Sequence, residues 1–397
     1  MQIIGLIREG KIPSDNRVAL TPFQCRWLQQ NKGVKVLVQS SKHRCFKDAE
    51  YTILGLAVID DVSECDVLLG IKEVPVEMLI PNKKYLFFSH TKKMQPYNQQ
   101  LLKACISKGI SLIDYECLEH EDGQRIIGFG FFAGVVGAHN ALWTYGKRTG
   151  LFNLPRVIDC QDYTALIRHY FGLKLPNIKI AITGSGRVSQ GVIDVMHLMG
   201  VTEVEPEDYL QRSFTYPVYA QLKGADLYTH KQLQSYKRAH FHQHPEQYNS
   251  RFLPYTKCTD ILINGVYWDK YLPRLFEDSV IDKTFAVQVI ADITDDTKGS
   301  VPINIGDATI AEPVYGIDRK TYLKTAPFLS TSIDIMAVGN LPNELPRDAS
   351  NYFGEQLIKY VLDGVLNDGS DLIDRATMVK NGQLTERFGY LKAYAEQ

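Results

Sequence analysis

The sequence has no long hydrophobic run, no repeat at a fixed period and no low-complexity tract. A helix needs about 18 consecutive apolar residues to span a bilayer, and no stretch approaches that length. Charge of one sign is not in excess either, because 44 basic residues face 45 acidic ones and the net charge is −1. Such a balance gives no long-range attraction to nucleic acid or anionic lipid. We therefore expect neither a membrane protein nor a nucleic-acid-binding protein.

Paired cysteines are lacking as well. The seven cysteines are odd in number and scattered, and no two have the CxxC spacing of zinc sites and redox motifs. The first residues, Met1 to Lys11, mix acidic and basic side chains and do not resemble a signal peptide. We therefore expect reduced thiols, no metal site and a cytoplasmic location.

What the chain does contain is an alternation of strand-like and helix-like stretches. Thr21 followed by Pro22 predicts the start of a helix, and Gly33 predicts its end. Alternation at this spacing is typical of βαβ units and a parallel sheet. The first series comprises strands predicted over 3–7, 34–38, 67–71, 85–88, 110–113 and 126–129, with a helix over 96–108.

A second series follows a helix of small residues predicted over 133–150. It has strands predicted over 178–183, 201–205, 261–264 and 285–293, and the polar segment 211–255 is interpreted as a crossover. A helix of about twenty residues after Pro346 is expected to return to the first series. With 397 residues, the chain is therefore predicted to be an α/β protein of two Rossmann-like, doubly wound parallel-sheet domains with a cleft between them. The predicted substrate domain covers 1–135 plus 335–397, and the predicted dinucleotide-binding domain covers 136–334.

A glycine-rich turn lies between the strand over 178–183 and the helix after it. In a dinucleotide site the first glycine permits the tight turn, the second admits the pyrophosphate, and the helix N-terminus supplies free N–H groups. The third glycine of the usual pattern is replaced by Ser189, with Gly191 two positions further on. The residues predicted to hold the cofactor here are Gly184, Ser185, Gly186, Arg187 and Val188. The plain alternative is a strand–helix turn that binds no nucleotide.

An acidic residue about 20 positions after the first glycine is expected to bind the ribose hydroxyls. Glu205 follows the strand predicted over 201–205 and fills that place. The expected cofactor is NAD or NADP. Glu205 favours NAD, whereas Arg212 is the candidate to hold the 2′-phosphate of NADP.

Charged side chains follow several strands of the first series. Lys72, His90 and Glu116 each come after a predicted strand, and Arg125 precedes one. Ligands of open α/β sheets bind outside the carboxyl ends of the strands, so these side chains are expected to gather at one edge. A lysine and a histidine there suit proton transfer, and arginine suits carboxylates. The competing interpretation is that they are surface lysines and arginines beside a structural histidine.

At these residues the sequence resembles the saccharopine dehydrogenase (L-lysine-forming) family, which includes lysine–ketoglutarate reductases and is more distantly related to alanine dehydrogenase. The similar segments cover nearly the whole chain in order. They include Arg17-Val-Ala-Leu-Thr-Pro22, Leu69-Gly-Ile-Lys72-Glu-Val-Pro75, Phe87-Phe-Ser-His90-Thr-Lys-Lys93, Leu112-Ile-Asp-Tyr-Glu116, Ile182-Thr-Gly-Ser-Gly186, Ile263-Asn-Gly-Val-Tyr-Trp268, Ile293-Thr-Asp-Asp296-Thr and Asn340-Leu-Pro.

The resemblance implies an oxidoreductase of lysine metabolism that acts on a CH–NH group. The ε-amine of lysine would condense with 2-oxoglutarate, and reduction of the imine by NAD(P)H would give saccharopine, or the reverse. Lys72 and His90 would be the acid–base pair. The implied substrate-binding residues are Lys11, Arg17, Lys93, Glu116 and Arg125, and the implied further cofactor-binding residues are Asn264, Gly265 and Asp296. The expected partners are these small molecules, with a homo-oligomer left open.

One position departs from the family pattern, because Gly339 stands where many relatives have aspartate before Asn340-Leu-Pro. Two alternatives therefore stay open. The first is an alanine dehydrogenase-like enzyme, although a small keto acid needs fewer cations than Lys11, Lys93 and Arg125 provide. The second is a nucleotide-binding sensor that has lost catalysis.

Overall fold

The computed structural model describes residues 1–396 except Asp122, Asp282, Asp307 and Asp368. The chain divides into two compact units, one of Met1–Phe129 with Pro346–Gln397 and the other of Gly130–Leu345. These bounds differ from the predicted ones at 135 and 335. The reason is that whole elements stay together: the helix predicted over 133–150 begins at Gly130, and Glu344 accepts a hydrogen bond from Asn140 of that helix.

The N-terminal part of the first unit alternates strands and helices as predicted. Its strands are β1 (Ile3–Leu6), β2 (Lys35–Gln39), β3 (Ala57–Ile59), β4 (Val67–Leu69), β5 (Lys84–Phe87) and β6 (Ser111–Asp114), and its helices are α1 (Pro22–Asn31), α2 (Asp48–Ile53) and α3 (Gln99–Ser107). The predicted start of α1 is confirmed: Thr21 accepts a hydrogen bond from Gln24 N–H, and the Gln24 side chain accepts one from Thr21 N–H. Gly33 follows the helix with φ of +63°.

The second unit begins with the long helix α4 (Gly130–Thr149). Its other helices are α5 (Tyr163–Arg168), α6 (Arg187–Leu198), α7 (Pro206–Gln211) and α8 (Arg238–Gln243), and its strands are β7 (Lys179–Thr183), β8 (Thr202–Glu203), β9 (Val218–Leu222), β10 (Tyr228–His230), β11 (Tyr248–Ser250), β12 (Ile261–Asn264), β13 (Val289–Asp292), β14 (Val314–Asp318), β15 (Lys324–Thr325) and β16 (Ser332–Met336).

The C-terminal part of the chain completes the first unit. It contains α9 (Pro346–Tyr360), α10 (Leu362–Leu366), α11 (Asp371–Ala376), β17 (Thr377–Lys380), β18 (Gln383–Leu384) and α12 (Lys392–Glu396). Within the described residues the sheet of this unit has the order β18-β17-β6-β5-β4-β1-β2-β3. Strands β1 to β6 pair in parallel, in the doubly wound order 3-2-1-4-5-6.

The sheet of the second unit has the order β15-β14-β16-β13-β12-β7-β9-β8 within the described residues. The strands from β16 to β8 pair in parallel, and β14 joins the edge antiparallel. Its central strands are apolar and buried, as expected of parallel strands covered on both faces. The prediction of two Rossmann-like α/β sheets is confirmed.

Two predicted elements are wrong. No strand forms over 126–129, because the place beside β6 is taken by β17, which pairs antiparallel through Thr377 and Ile113. The segment 211–255 is not only a crossover, because it contains β9, which pairs with β7 on one side and with β8, the edge strand, on the other. Among the described residues, no helix combines the length and the apolar character needed to cross a membrane.

Candidate active site

Lys72 and His90 lie side by side at the carboxyl edge of the first sheet. Lys72 follows β4 and His90 follows β5, and these two strands are neighbours in parallel. Because neighbouring parallel strands end at one edge, the side chains meet, with Lys72 Nζ 3.5 Å from His90 Nε2. The structure thus brings together the two residues predicted to be the acid–base pair, at a separation across which a proton can pass with little movement.

His90 is held in an uncommon backbone conformation. Its φ is +52°, in the left-handed region that residues other than glycine rarely adopt. Its ring lies nearly parallel to that of Phe88, with 6.1 Å between the ring centroids. The other ring nitrogen, Nδ1, lies 3.6 Å from Glu116 Oε2. The fold therefore fixes the imidazole between an amine and a carboxylate, and backbone strain of this kind is concentrated at functional sites.

The environment of Lys72 changes its acidity. Burial lowers the pKa of Lys72 to about 8, and the positive charge of Arg17 acts in the same direction. Its backbone N–H donates to Glu9 Oε2 at 2.8 Å, and Ile71 N–H donates to Glu9 Oε1 at 2.7 Å. An amine with this pKa can both accept and donate a proton near neutral pH.

Glu116 connects His90 to the predicted cations. Its carboxylate accepts a hydrogen bond from the Arg125 guanidinium. Burial raises the pKa of Glu116, but the neighbouring His90 and the charges of Arg125 and Lys93 outweigh burial and lower this pKa to about 2. Glu116 is therefore ionised at neutral pH, and Arg125 and Lys93 both lie close enough to stabilise its charge.

Glu73 lies between Lys11 and His90 and interacts with both. Lys11 Nζ lies 2.8 Å from Glu73 Oε2, and the other carboxylate oxygen lies 4.0 Å from His90 Nε2. Burial raises the pKa of Glu73, yet the hydrogen bond from Lys11 and the charge of His90 outweigh it and lower this pKa. The edge of the sheet therefore carries carboxylates as well as cations, which suits a substrate that has both ammonium and carboxylate groups.

Arg17 is more deeply placed than the resemblance implied. It is buried, its Nε donates to Asp15 Oδ1 at 2.9 Å, and its guanidinium lies 4.1 Å from the ring centroid of Phe129. Phe129 stacks in turn on Phe353, at 4.6 Å between ring centroids. Arg17 is thus part of the packed interior, and its charge still acts on Lys72.

The sequence reasoning missed three acids of this edge, namely Glu9, Asp15 and Glu73. Glu9 and Asp15 lie in the charged loop after β1, and Glu73 directly follows Lys72. Position was the available signal, because each follows the carboxyl end of a strand of a parallel sheet. Asp15 and Glu73 pair with Arg17 and Lys11, and Glu9 accepts hydrogen bonds from the backbone of Ile71 and Lys72. These contacts form only in the folded chain.

The glycine turn of the second unit fits a dinucleotide. Gly184 has φ of +98°, and a Cβ there would lie 2.9 Å from the carbonyl oxygen of Gly265, so another residue would strain the turn. Gly186 is exposed and precedes α6, and nothing lies within 4 Å of the place where its Cβ would be. Backbone can therefore approach a pyrophosphate there, with Ser185 exposed beside it and Arg187 and Val188 opening the helix.

The place of the third glycine is shared by two residues. Ser189 is buried under the turn, and its hydroxyl donates to the Thr183 carbonyl at 3.2 Å. Gly191 packs against α4, where its Cβ would lie 1.9 Å from the Phe131 carbonyl oxygen. Ser189 therefore allows close packing of α6 against the strand before it, and Gly191 allows close packing of α6 against α4.

Asn264 connects the strands below the turn. Its side-chain oxygen accepts from Thr183 Oγ1 at 2.6 Å, and its side-chain nitrogen donates to Asp292 Oδ1 at 2.7 Å and Ser300 Oγ at 2.8 Å. The carbonyl of Gly265 lies against Gly184, 2.9 Å from where a Cβ on Gly184 would be. Asn264 and Gly265 thus shape the turn from below.

Asp296 lies in the loop after β13, and the residue before it, Asp295, explains why position 339 is a glycine. A Cβ on Gly339 would lie 2.7 Å from Asp295 Oδ2, so the Asp295 carboxylate occupies the space of a side chain at 339. Burial, with the charge of Asp292, raises the pKa of Asp295 to about 7. Its other oxygen, Oδ1, is buried without a hydrogen-bond partner among the described residues. The departure at Gly339 is therefore matched by a carboxylate supplied from the neighbouring loop.

Glu205 is not brought to the glycine turn. It follows β8, the outer strand of the sheet, and β9 lies between β8 and β7. Glu205 precedes the short helix α7, and at the end of that helix Arg212 is paired with Asp208 at 3.1 Å. Glu205 has the expected spacing in sequence from Gly184, but the inserted strand β9 separates Glu205 and Arg212 from the turn.

The histidines of the segment 211–255 belong to local packing. His230 hydrogen-bonds Gln247 at 3.1 Å, and His240 hydrogen-bonds Tyr248 at 3.2 Å. Outside the five undescribed positions, no three histidine, cysteine or acidic side chains are grouped to hold a metal ion.

The fold is thus two Rossmann-like α/β units, one of which carries the glycine turn and the other the neighbouring Lys72 and His90. Residues 5–136 match the family model of the alanine dehydrogenase/PNT N-terminal domain. The chain is 30% identical over 448 aligned residues to the mitochondrial alpha-aminoadipic semialdehyde synthase of Rattus norvegicus, covering 99% of this chain and 48% of that protein. It is 26% identical to saccharopine dehydrogenase (NAD+, L-lysine-forming) of Yarrowia lipolytica, covering 93% of this chain and 94% of that protein.

Solved structures show the same fold. L-alanine dehydrogenase superposes with a TM-score of 0.64 at 15% identity, covering 100% of this chain and 98% of that one. The transhydrogenase of Sinorhizobium meliloti gives 0.59 at 15% identity, covering 97% and 99%. The resemblance to saccharopine dehydrogenases is confirmed along nearly the whole chain, and these relatives support the predicted class of oxidoreductase. The chain spans about half the length of the semialdehyde synthases that it matches.

Proposed function

We propose that this chain is a cytoplasmic enzyme of lysine metabolism that reductively joins the ε-amine of lysine to 2-oxoglutarate, giving saccharopine, or catalyses the reverse oxidation. The observation that carries the proposal is the Lys72–His90 pair, with 3.5 Å between nitrogen atoms. A nicotinamide dinucleotide, when bound, supplies or accepts the hydride. In this assignment the second unit holds the cofactor and the first unit holds the substrate.

Condensation of an amine with a ketone moves protons at two atoms. The attacking nitrogen must lose protons, and the carbonyl oxygen must gain them before it leaves as water. A lysine with a pKa of about 8 beside an imidazole can serve both needs, one group as the base and the other as the acid. In the oxidative direction the two exchange roles.

The charges around the pair support a substrate with several carboxylates and an ammonium group. Lys11, Lys93 and Arg125 lie near Glu73 or Glu116 and supply positive charge. Lys11 and Arg125 are each paired with an acid that an incoming carboxylate can replace, while the ionised acids attract the ammonium of the substrate.

The test is oxidation of NADPH and NADH by the purified full chain with a panel of amines and keto acids. We expect turnover with lysine plus 2-oxoglutarate and little with ammonia plus pyruvate. Faster turnover with ammonia plus pyruvate would favour the alanine dehydrogenase-like alternative. Dinucleotide binding without turnover on any pair would favour the sensor, and either result would overturn the proposal.

A further inference from the structure

A buried carboxylate ends the strand next to the one that leads to His90. Asp114 is the last residue of β6, and it is fully buried. β6 pairs in parallel with β5, and Phe87 of β5 is in register with Asp114. Burial raises the pKa of Asp114, because a carboxylate loses its hydration there. Buried acids need hydrogen bonds that compensate for this loss, so the partners of Asp114 show what it holds in place.

The hydrogen bonds of Asp114 go to the segments on both sides of the imidazole of His90. Its Oδ2 accepts from the Ser89 N–H at 3.2 Å and from the Ser89 hydroxyl. Its Oδ1 accepts from the Glu116 N–H at 2.7 Å. Ser89 directly precedes His90, and the carboxylate of Glu116 lies 3.6 Å from His90 Nδ1. One carboxylate therefore holds the backbone of both residues that flank this contact.

The hydroxyl of Ser89 extends the connection to the other neighbour of His90. Ser89 Oγ lies 2.7 Å from Thr91 Oγ1, and it accepts from the Thr91 N–H at 3.3 Å. Both hydroxyls also lie within 4 Å of the sulfur of Met378, at 3.8 and 3.6 Å. His90 itself has φ of +52°. A left-handed conformation of this kind persists only where the surrounding structure fixes it, and here the residues before and after His90 are both linked to Asp114.

We propose that Asp114 is a positioning residue, which holds His90 in the left-handed backbone conformation that places its imidazole beside Lys72. Because it is fully buried, Asp114 does not itself exchange protons with a substrate, and it acts through Ser89. The kinetic part of the inference rests on the proposed function. The position of the imidazole does not, since it can be measured without turnover.

The first test is steady-state kinetics of Asp114→Asn and Ser89→Ala in the purified full chain, with lysine, 2-oxoglutarate and the faster of NADPH and NADH. Asparagine cannot accept hydrogen bonds at its amide nitrogen, and Ser89→Ala is a milder change that removes only the hydroxyl. Each substitution should lower kcat about 10- to 100-fold and change either KM less than about twofold, because a misplaced proton-transfer group slows the chemical step without weakening binding.

The same substitutions are then made in the His90→Gln background. If Asp114 acts through His90, each should change kcat there less than about twofold, because no imidazole is left to position. Tyr85→Phe is the matched control. It removes a hydrogen bond from the Ile80 N–H to a buried side chain of β5, and it should leave kcat within about twofold of wild type.

The second test needs no turnover. In the chain labelled with 13C-histidine, the ε1 signal of His90 is assigned by its loss in His90→Gln. This signal should move in Asp114→Asn and Ser89→Ala and stay in place in Tyr85→Phe. An unmoved signal in both variants, or kcat losses as large in the His90→Gln background as in the wild type, would overturn the inference. Absence of turnover by the wild-type chain on any substrate pair would overturn the proposed function, and the His90 signal would still decide the inference.

Discussion

Lys72 is the residue whose acidity the fold changes in a way that kinetics can detect. An ordinary lysine is a poor base at neutral pH because its amine is almost fully protonated. Burial and the nearby Arg17 lower the pKa of Lys72 to about 8, so a useful fraction of the amine is neutral at physiological pH. Glu9 accepts hydrogen bonds from the backbone N–H groups of Ile71 and Lys72 and so fixes the backbone that carries this lysine.

The first prediction concerns the pH dependence of the oxidative direction. Lys72 must be neutral to act as a base there, so kcat/KM should rise about tenfold per pH unit below its pKa and level off above about 8. A profile from pH 6 to 10 with saccharopine and oxidised cofactor checks the prediction. A plateau reached only near the pKa of free lysine, or a fall in rate between pH 7 and 9, would contradict it.

The carboxylate of Asp295 explains why position 339 is occupied by a glycine. The Asp295 carboxylate fills the space beside Gly339, and one of its oxygen atoms is buried without a partner among the described residues. Its folded-state pKa, about 7, is raised above the ordinary value near 4. Ionisation therefore opposes folding, and the cost grows as pH rises from about 4 to about 7 and stays constant above.

The second prediction is a double-mutant cycle on this pair. Gly339→Ala should lower the free energy of unfolding by about 1–3 kcal/mol, because its Cβ would meet Asp295, and by less in the Asp295→Ala background. Asp295→Ala alone should gain stability relative to wild type between pH 5 and pH 8. Urea unfolding at both pH values measures these quantities. Additive effects of the two substitutions would show that the residues do not touch.

At the scale of elements, the second unit depends on the close crossing of α4 and α6. A Cβ on Gly134 would lie 1.9 Å from the Val188 carbonyl oxygen, and one on Gly191 would lie 1.9 Å from that of Phe131. Neither helix can carry a side chain at the crossing, because backbone meets backbone there. The crossing positions α6, whose N-terminus faces the proposed cofactor.

The third prediction compares three glycine substitutions. Gly191→Ala should cost about 1–3 kcal/mol or more of unfolding free energy, because the helices must move apart. Gly186→Ala should leave stability nearly unchanged, since its Cβ would meet nothing, but should weaken dinucleotide binding by filling the space of the pyrophosphate. Gly389→Ala, also in open space, is the matched control. Thermal unfolding and dinucleotide titration report the two effects. Equal stability of the Gly191 and Gly389 variants would refute the crossing.

These elements also show how far the sequence could predict the fold. Strands such as β4 and β5 were found because their residues are apolar and buried, which a run of hydrophobic residues reveals. The strand β9 was missed because its short apolar run lies within a polar segment. The strand expected over 126–129 did not form because β17, distant in sequence, occupies that edge. The places of β9 and β17 in their sheets depend on pairing with strands distant in sequence, and the local hydrophobic pattern does not reveal such pairing.

The site was predictable to a similar degree. The pair Lys72 and His90 could be predicted, because each follows a strand of a parallel sheet and such strands end together. Glu205 was predicted from its spacing in sequence to lie beside the glycine turn. The inserted strand β9 separates them, because it pairs between β7 and β8. The acids Glu9 and Glu73 were missed, since their roles arise from hydrogen bonds that only the folded chain forms.

At the scale of the whole molecule, the chain combines a glycine turn that fits a dinucleotide with the Lys72–His90 pair, which is surrounded by charges of both signs. The two features lie in different units of the chain, and each can be tested without the other. Binding measurements test the turn, and chemistry tests the pair. The role that we propose for Lys72 and His90 is to move the protons of an amine condensation.

The most direct test is steady-state kinetics of Lys72→Met and His90→Gln with lysine, 2-oxoglutarate and reduced cofactor. Each substitution should lower kcat by about 10²-fold or more, with a loss less than multiplicative in the double variant, because the two groups act as a unit. Arg125→Ala is the matched comparison and should raise the KM for 2-oxoglutarate more than it lowers kcat. Dinucleotide affinity and thermal unfolding should remain those of the wild type in the Lys72 and His90 variants. A kcat equal to that of the wild-type chain in both variants would show that these two side chains do not move the protons.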